Sequence, residues 1–156
     1  MLEVDVPGWR SLRLAHLVLD VNGTVALDGA LLPDMAERLR ALRPRLDAYL
    51  VSADTHGGLD AVAAALGVQA RRLQAGGEAE QKAAFVRALG AAGVVAIGNG
   101  ANDAAMLAEA AVGIAVLGPE GLATAALGAA DVLVRSIADA LDLLLQPRRL
   151  LATLRR

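Results

Sequence analysis

Apolar stretches of strand length alternate along the chain with segments whose apolar residues recur at helical spacing. The strand-like runs are HLVLDV, AYLVSA, a weak QARRLQ, GVVAIGN, VGIAVL and DVLVRS. Between them lie PDMAERLRALR, GLDAVAAALG, EAEQKAAFVRALG, NDAAMLAEA and EGLATAALGAA, several opening on Pro, Glu or Asp and stopping at Gly as helix ends prefer. This order predicts an α/β protein: a three-layer, Rossmann-like core with a mainly parallel sheet between helices. Ahead of it, LEVDVPGWRSLRL carries two alternating runs around Pro7-Gly8, which predicts a hairpin over residues 1–15. A C-terminal helix is expected over 137–156, with Pro147 interrupting its pattern and a docking or oligomer contact as its role. With no linker, low-complexity tract or repeat, all 156 residues read as one domain.

In an open parallel sheet, ligands bind outside the carboxyl ends of the strands. Three predicted strands end there in polar clusters: Asp20 to Thr24, Ser52 to Thr55, and Gly98 to Asp103. Composition sharpens this. The fifteen cationic side chains are fourteen Arg and one Lys, Lys82, placed early in a predicted helix. Asn occurs three times, at 22, 99 and 102, each time inside one of these clusters. Other bulk features exclude classes. The chain has no Cys, so there is no disulfide framework and no thiolate chemistry. A net charge of −2 and 2% aromatic residues argue against a nucleic-acid binder. Charged residues break every apolar run before the roughly 18 needed for a membrane span. No secretory signal pattern is present over residues 1–15, and a cytoplasmic location is expected.

Asp20, at the end of an apolar strand and followed by Gly23-Thr24, has the setting of an exposed carboxylate in a tight turn, and carboxylates serve as nucleophiles toward phosphorus. Ser52 offers a hydroxyl, Lys82 a compact cation, and the oxygens of GNGAND suit a hard cation such as Mg2+. As a bland alternative, Asp54 and Thr55 are the cap of the next helix as readily as ligand contacts. His56 reads as an exposed loop residue, and Asp28 as shaping the loop after Asp20.

Together LVLDVNGT, LVSAD, Lys82 and GNGANDAAML resemble, in order and spacing, the four motifs of the haloacid dehalogenase superfamily. Within it the chain is most similar to the phosphorylation domain of P-type ATPases, with AVGIAVLGPEGLATAALGAADVLVRSIADAL paralleling the segment after the hinge motif. The intervals between the motifs leave no room for a large cap domain. The resemblance implies a Mg2+-dependent phosphohydrolase acting through an aspartyl phosphate on Asp20. Ser52, Ala53, Lys82 and Asn102 would hold the phosphoryl group, and Asp20, the Asn22 carbonyl, Asn99 and Asp103 would surround the metal. Catalysis would rest on Asp20, Asn22 and Lys82. The substrate would be a phosphorylated small molecule or a phosphoprotein, with a homo-oligomer as one way to cover the open site.

Two departures stand out. Most family phosphatases carry aspartate at position 22 as the acid/base, and Asn22 cannot exchange a proton; the loss of such a group costs about 10²–10⁴ in rate. Asn99 stands where an aspartate usually binds the metal and brings no charge. These changes set a slow hydrolase against a phosphate-binding or regulatory module. A weaker alternative is an ATP-using unit, which lacks a nucleotide-binding insertion.

Overall fold

A computed structural model describes residues 1–53 and 58–156. The chain opens with strands β1 (Leu2–Asp5) and β2 (Ser11–Leu14), an antiparallel hairpin turning at Pro7-Gly8. Its alternating Leu2, Val4, Leu12 and Leu14 all point inward. Strand β3 (His16–Asp20) follows, then a small flap of β4 (Ala26–Leu27) and β5 (Ala30–Leu31), and helix α1 (Met35–Leu42). Next come β6 (Asp47–Ser52), α2 (Leu59–Leu66), β7 (Gln69–Arg72) and α3 (Glu78–Ala88). After β8 (Val94–Gly98) lie a single 3-10 turn (Ala101–Asp103), α4 (Ala104–Glu109) and β9 (Val112–Val116). The chain ends with α5 (Thr124–Ala129), β10 (Val132–Val134), α6 (Ile137–Leu145) and α7 (Pro147–Leu154). All six predicted strands form, in one parallel sheet of order β10-β9-β8-β3-β6-β7. The Rossmann-like α/β reading is therefore correct.

Strand alternation explains the two helical layers. Leu17, Leu19, Leu50, Val95 and Ile97 project to one face and pack on α1, α2, α6 and α7. Val18, Val51, Val94 and Ala96 project to the other, where Val86 of α3, Met106 and Leu107 of α4, and Ala126 of α5 cover them. Asp20 lies two residues beyond Val18, on the α3–α4 face. This parity brings it under Lys82.

The expected helix over 137–156 is in fact two. Gln146 separates α6 from α7, and Pro147 starts α7 at the one helical position where its missing N–H costs nothing. Ser136 caps α6 by accepting from the Asp139 N–H at 3.1 Å. Leu150 and Leu154 then fold α7 back onto the hairpin, where the Arg156 N–H donates to the Pro7 carbonyl at 3.1 Å. Only the flap and α1 separate β3 from β6, and only α2 and β7 lie between β6 and α3 among the described residues. No described helix is long and apolar enough to cross a membrane.

Candidate active site

The carboxyl ends of β3, β6 and β8 meet at the point where the strand order reverses, since the chain runs from β3 outward through β6 and β7 before returning to β8. A cavity of about 540 Å³ opens there. Asp20, Asn22, Ser52, Ala53, Lys82, Asn99 and Asn102 all line it. Asp54, Thr55 and His56 lie outside the described residues. Asp28 is exposed with φ 51°, in keeping with a loop-shaping role.

At the centre is a buried ion triad. Lys82 Nζ donates to Asp20 Oδ1 at 2.6 Å and to Asp103 Oδ1 at 2.7 Å. Lys82 is 1% exposed, Asp103 0% and Asp20 7%. Lys82 reaches this position because Lys82 and Val86, one turn apart on α3, share the face that packs on the sheet. Burial alone would lower the lysine's pKa, but the two carboxylates outweigh it and hold the ammonium above its ordinary value. Asp20 behaves oppositely. Burial and the nearby Asp103 charge raise its pKa to about 6, against the opposing pull of Lys82.

Asp103, expected to help surround a metal, is fully buried. Its Oδ1 is taken by Lys82, and its Oδ2 accepts from the backbone N–H groups of Asn99 at 3.0 Å and Gly100 at 2.8 Å. It does not line the cavity. Gly98 makes room for it, because a Cβ there would lie 2.6 Å from the Asp103 carboxyl carbon. This arrangement makes Asp103 a brace for Lys82 and for the 98–100 turn.

Asn99 is equally engaged. Its Oδ1 accepts from the buried Thr24 hydroxyl at 3.3 Å, and its Nδ2 donates to the Gly121 carbonyl at 3.2 Å. The Asn99 carbonyl also accepts from Ala123 N–H at 2.9 Å. An amide can give and receive in this way; an ionised carboxylate would face the Gly121 carbonyl with no proton to offer. Asn99 thus ties the turn after Asp20 to the loop of residues 117–123. Gly23 completes the turn with φ 77°, and a Cβ on it would meet Asn99 Nδ2 at 2.6 Å and the Glu120 carboxylate.

Three participants escaped the sequence reading: Thr24 as the Asn99 partner, and Glu78 and Glu120 on the cavity wall. Glu78 accepts from Asn102 Nδ2 at 3.2 Å. Glu120 follows β9, and the rule that ligands gather at strand carboxyl ends, applied to this fourth strand, would have found it. The apolar part of the wall comes from Ala26, Leu59 and Val62.

The Asp20 carboxylate, the Asn22 carbonyl and the Asn99 amide oxygen form a set that fits a hard divalent cation of the magnesium type completed by substrate phosphate and water. Among the described residues no three His, Cys, Asp or Glu side chains group as metal ligands. This is compatible with magnesium, which needs only one or two carboxylates.

The family model for haloacid dehalogenase-like hydrolases matches residues 1–111, and the chain belongs to that family. An uncharacterized protein of Methanocaldococcus jannaschii is 48% identical over 62 residues, which are 40% of this chain and 67% of that one. The 3-deoxy-D-manno-octulosonate 8-phosphate phosphatase of Moraxella catarrhalis, solved with magnesium and phosphate ions, superposes with a TM-score of 0.70 at 17% identity, covering 90% of this chain and 92% of that one. A zinc-transporting PIB-type ATPase in its E2.Pi state superposes with a TM-score of 0.65 at 25% identity, over 79% of this chain and 20% of the pump. The fold is thus shared by this phosphatase and by part of a P-type ATPase.

Proposed function

We propose that the protein is a magnesium-dependent phosphohydrolase that works slowly through an aspartyl phosphate on Asp20. The observation that carries this reading is the Asp20–Lys82–Asp103 triad, because it holds a carboxylate at the cavity floor with a buried cation beside it. Asp20 would attack the phosphorus, forming an oxygen–phosphorus bond as the leaving oxygen departs with its electron pair. Lys82 would neutralise the phosphoryl oxygens, and Ser52, the Ala53 backbone and Asn102 would orient them. Asp20, the Asn22 carbonyl and Asn99 would hold the magnesium ion, which supplies charge neutralisation at the phosphoryl oxygens when bound. Asp103 would act through Lys82, as a positioning residue.

Asn22 lines the cavity with no proton to give to the leaving group and no base to activate water. The reaction has two halves, attack by Asp20 with loss of the leaving oxygen and then attack of water on the phosphorus to release phosphate and free Asp20, and both are slowed in consequence. Substrates whose leaving group needs no proton, such as acyl and aryl phosphates, are favoured over alkyl phosphates. The cavity volume suits a phosphorylated small molecule better than a folded phosphoprotein side.

The test is hydrolysis of p-nitrophenyl phosphate with magnesium, with Asp20→Asn as control. Release that Asp20→Asn abolishes supports the reading. Magnesium and phosphate binding without any release, in a calorimeter, would instead favour the binding module to which Asn22 and Asn99 both lend weight.

A further inference from the structure

Resting on that reading, we infer that Glu120 is a cation ligand, supplying the second carboxylate that Asn99 does not. Three observations converge on it. Glu120 lines the same cavity as Asp20, Asn22 and Asn99. Its carboxylate lies against Gly23, in the space a Cβ there would fill, next to the Asn99 amide nitrogen. The loop that bears it is fixed to this spot, since Gly121 accepts from the Asn99 side chain and the Ala123 N–H donates to the Asn99 carbonyl.

Charge counting gives the inference its force. Asp103 is committed to Lys82 and two backbone N–H groups, and Asn99 is neutral and committed to Thr24 and Gly121. Without Glu120 the oxygen set contains one ionised ligand, Asp20, and that one already shares its charge with Lys82. Cation affinity in oxygen sites is set largely by the number of charged ligands. Glu120 restores that number to two. It is exposed and attached through a flexible side chain to a braced loop, so it reaches inward without disturbing the core. Glu78, also on the cavity wall, is held instead by Asn102.

The experiment titrates Mn2+ into the substrate-free protein and reads bound ion by electron paramagnetic resonance, with no turnover required. Wild type, Glu120→Gln and Glu78→Gln are compared, and thermal melts check that each is folded. Glu120→Gln should weaken Mn2+ binding about tenfold or more while Glu78→Gln leaves it within about twofold. Equal affinity for wild type and Glu120→Gln overturns the inference, as does equal weakening in both variants, which would mean diffuse cavity charge. If wild type binds no Mn2+, the inference falls. Phosphorylation of Asp20, measured separately, then decides the hydrolase reading on its own.

Discussion

Replacing Lys82 by methionine keeps most of the stem's volume and deletes its charge. Asp20 and Asp103, both buried, would then be left without their shared counter-charge. Even with Lys82 present, Asp20 stands at about 6 rather than the ordinary 3.8. At about 1.4 kcal/mol per tenfold, keeping Asp20 ionised already costs the fold roughly 3 kcal/mol at neutral pH. Removing one partner of a buried ion pair typically costs about 3–5 kcal/mol, because the other charge is stranded. Lys82→Met is therefore expected to lower unfolding free energy by about that amount near pH 7.5. The pH dependence gives the mechanism away. A carboxyl raised in the folded state binds its proton more tightly than in the unfolded chain, so its penalty is absent below the unfolded value and grows as pH rises through the folded one. In the variant the folded value lies above about 6, so the deficit at about pH 5 should be clearly smaller than at about pH 7.5. Urea unfolding at the two pH values measures this. Adding Asp103→Asn to Lys82→Met should recover part of the loss by removing one of the stranded charges. A deficit below about 1 kcal/mol, or one equal at both pH values, refutes the argument that Lys82 is the counter-charge of a buried pair.

Asn22→Asp should shorten the life of the phosphoenzyme, by as much as about 10²–10⁴, read by chasing labelled protein with unlabelled acetyl phosphate; an unchanged decay means water activation is not what limits it. With magnesium limiting, the rate of phosphorylation should rise with pH through about 6 as Asp20 loses its proton, and saturating magnesium should move the midpoint lower; a flat profile contradicts this. Gly23→Ala should cost about 1–3 kcal/mol in a thermal or urea melt, since its φ of 77° disfavours a side chain and its Cβ position is taken by Asn99 and Glu120. Chelation with EDTA should stop hydrolysis and added magnesium restore it; activity that survives chelation removes the metal from the account.

Much of this was legible in the sequence because local pattern and global fold agree. Strand cores such as LVL and VVAIG are apolar throughout, as buried parallel strands tend to be, and Gly67 closes α2 while Gly90 follows α3. The three asparagines marked the site because all of them fall in strand-end clusters, and the single lysine because it sits early in a helix that can reach the same sheet edge. The missing parts depend on tertiary packing. Asp103 has the sequence position of a metal ligand, yet the close approach that Gly98 permits turns it toward Lys82 and two backbone N–H groups. Asn99 looked like a lost charge. Its two hydrogen bonds to Thr24 and Gly121 connect segments separated by 75 and 22 positions, a link that no local pattern announces. Glu120 follows a strand whose end carried no obvious polar cluster, and the helix break at Gln146 needed only one residue between two apolar stripes.

The central claim is that Asp20 becomes covalently phosphorylated. Incubation with acetyl phosphate and magnesium, followed by acid quench and mass spectrometry of the peptides, tests it most directly. The account predicts one phosphoryl group on the peptide containing Asp20, removed by hydroxylamine, absent from Asp20→Asn, and longer-lived than in the Asn22→Asp variant. A folded protein that binds magnesium but carries no label on Asp20 under these conditions would contradict it.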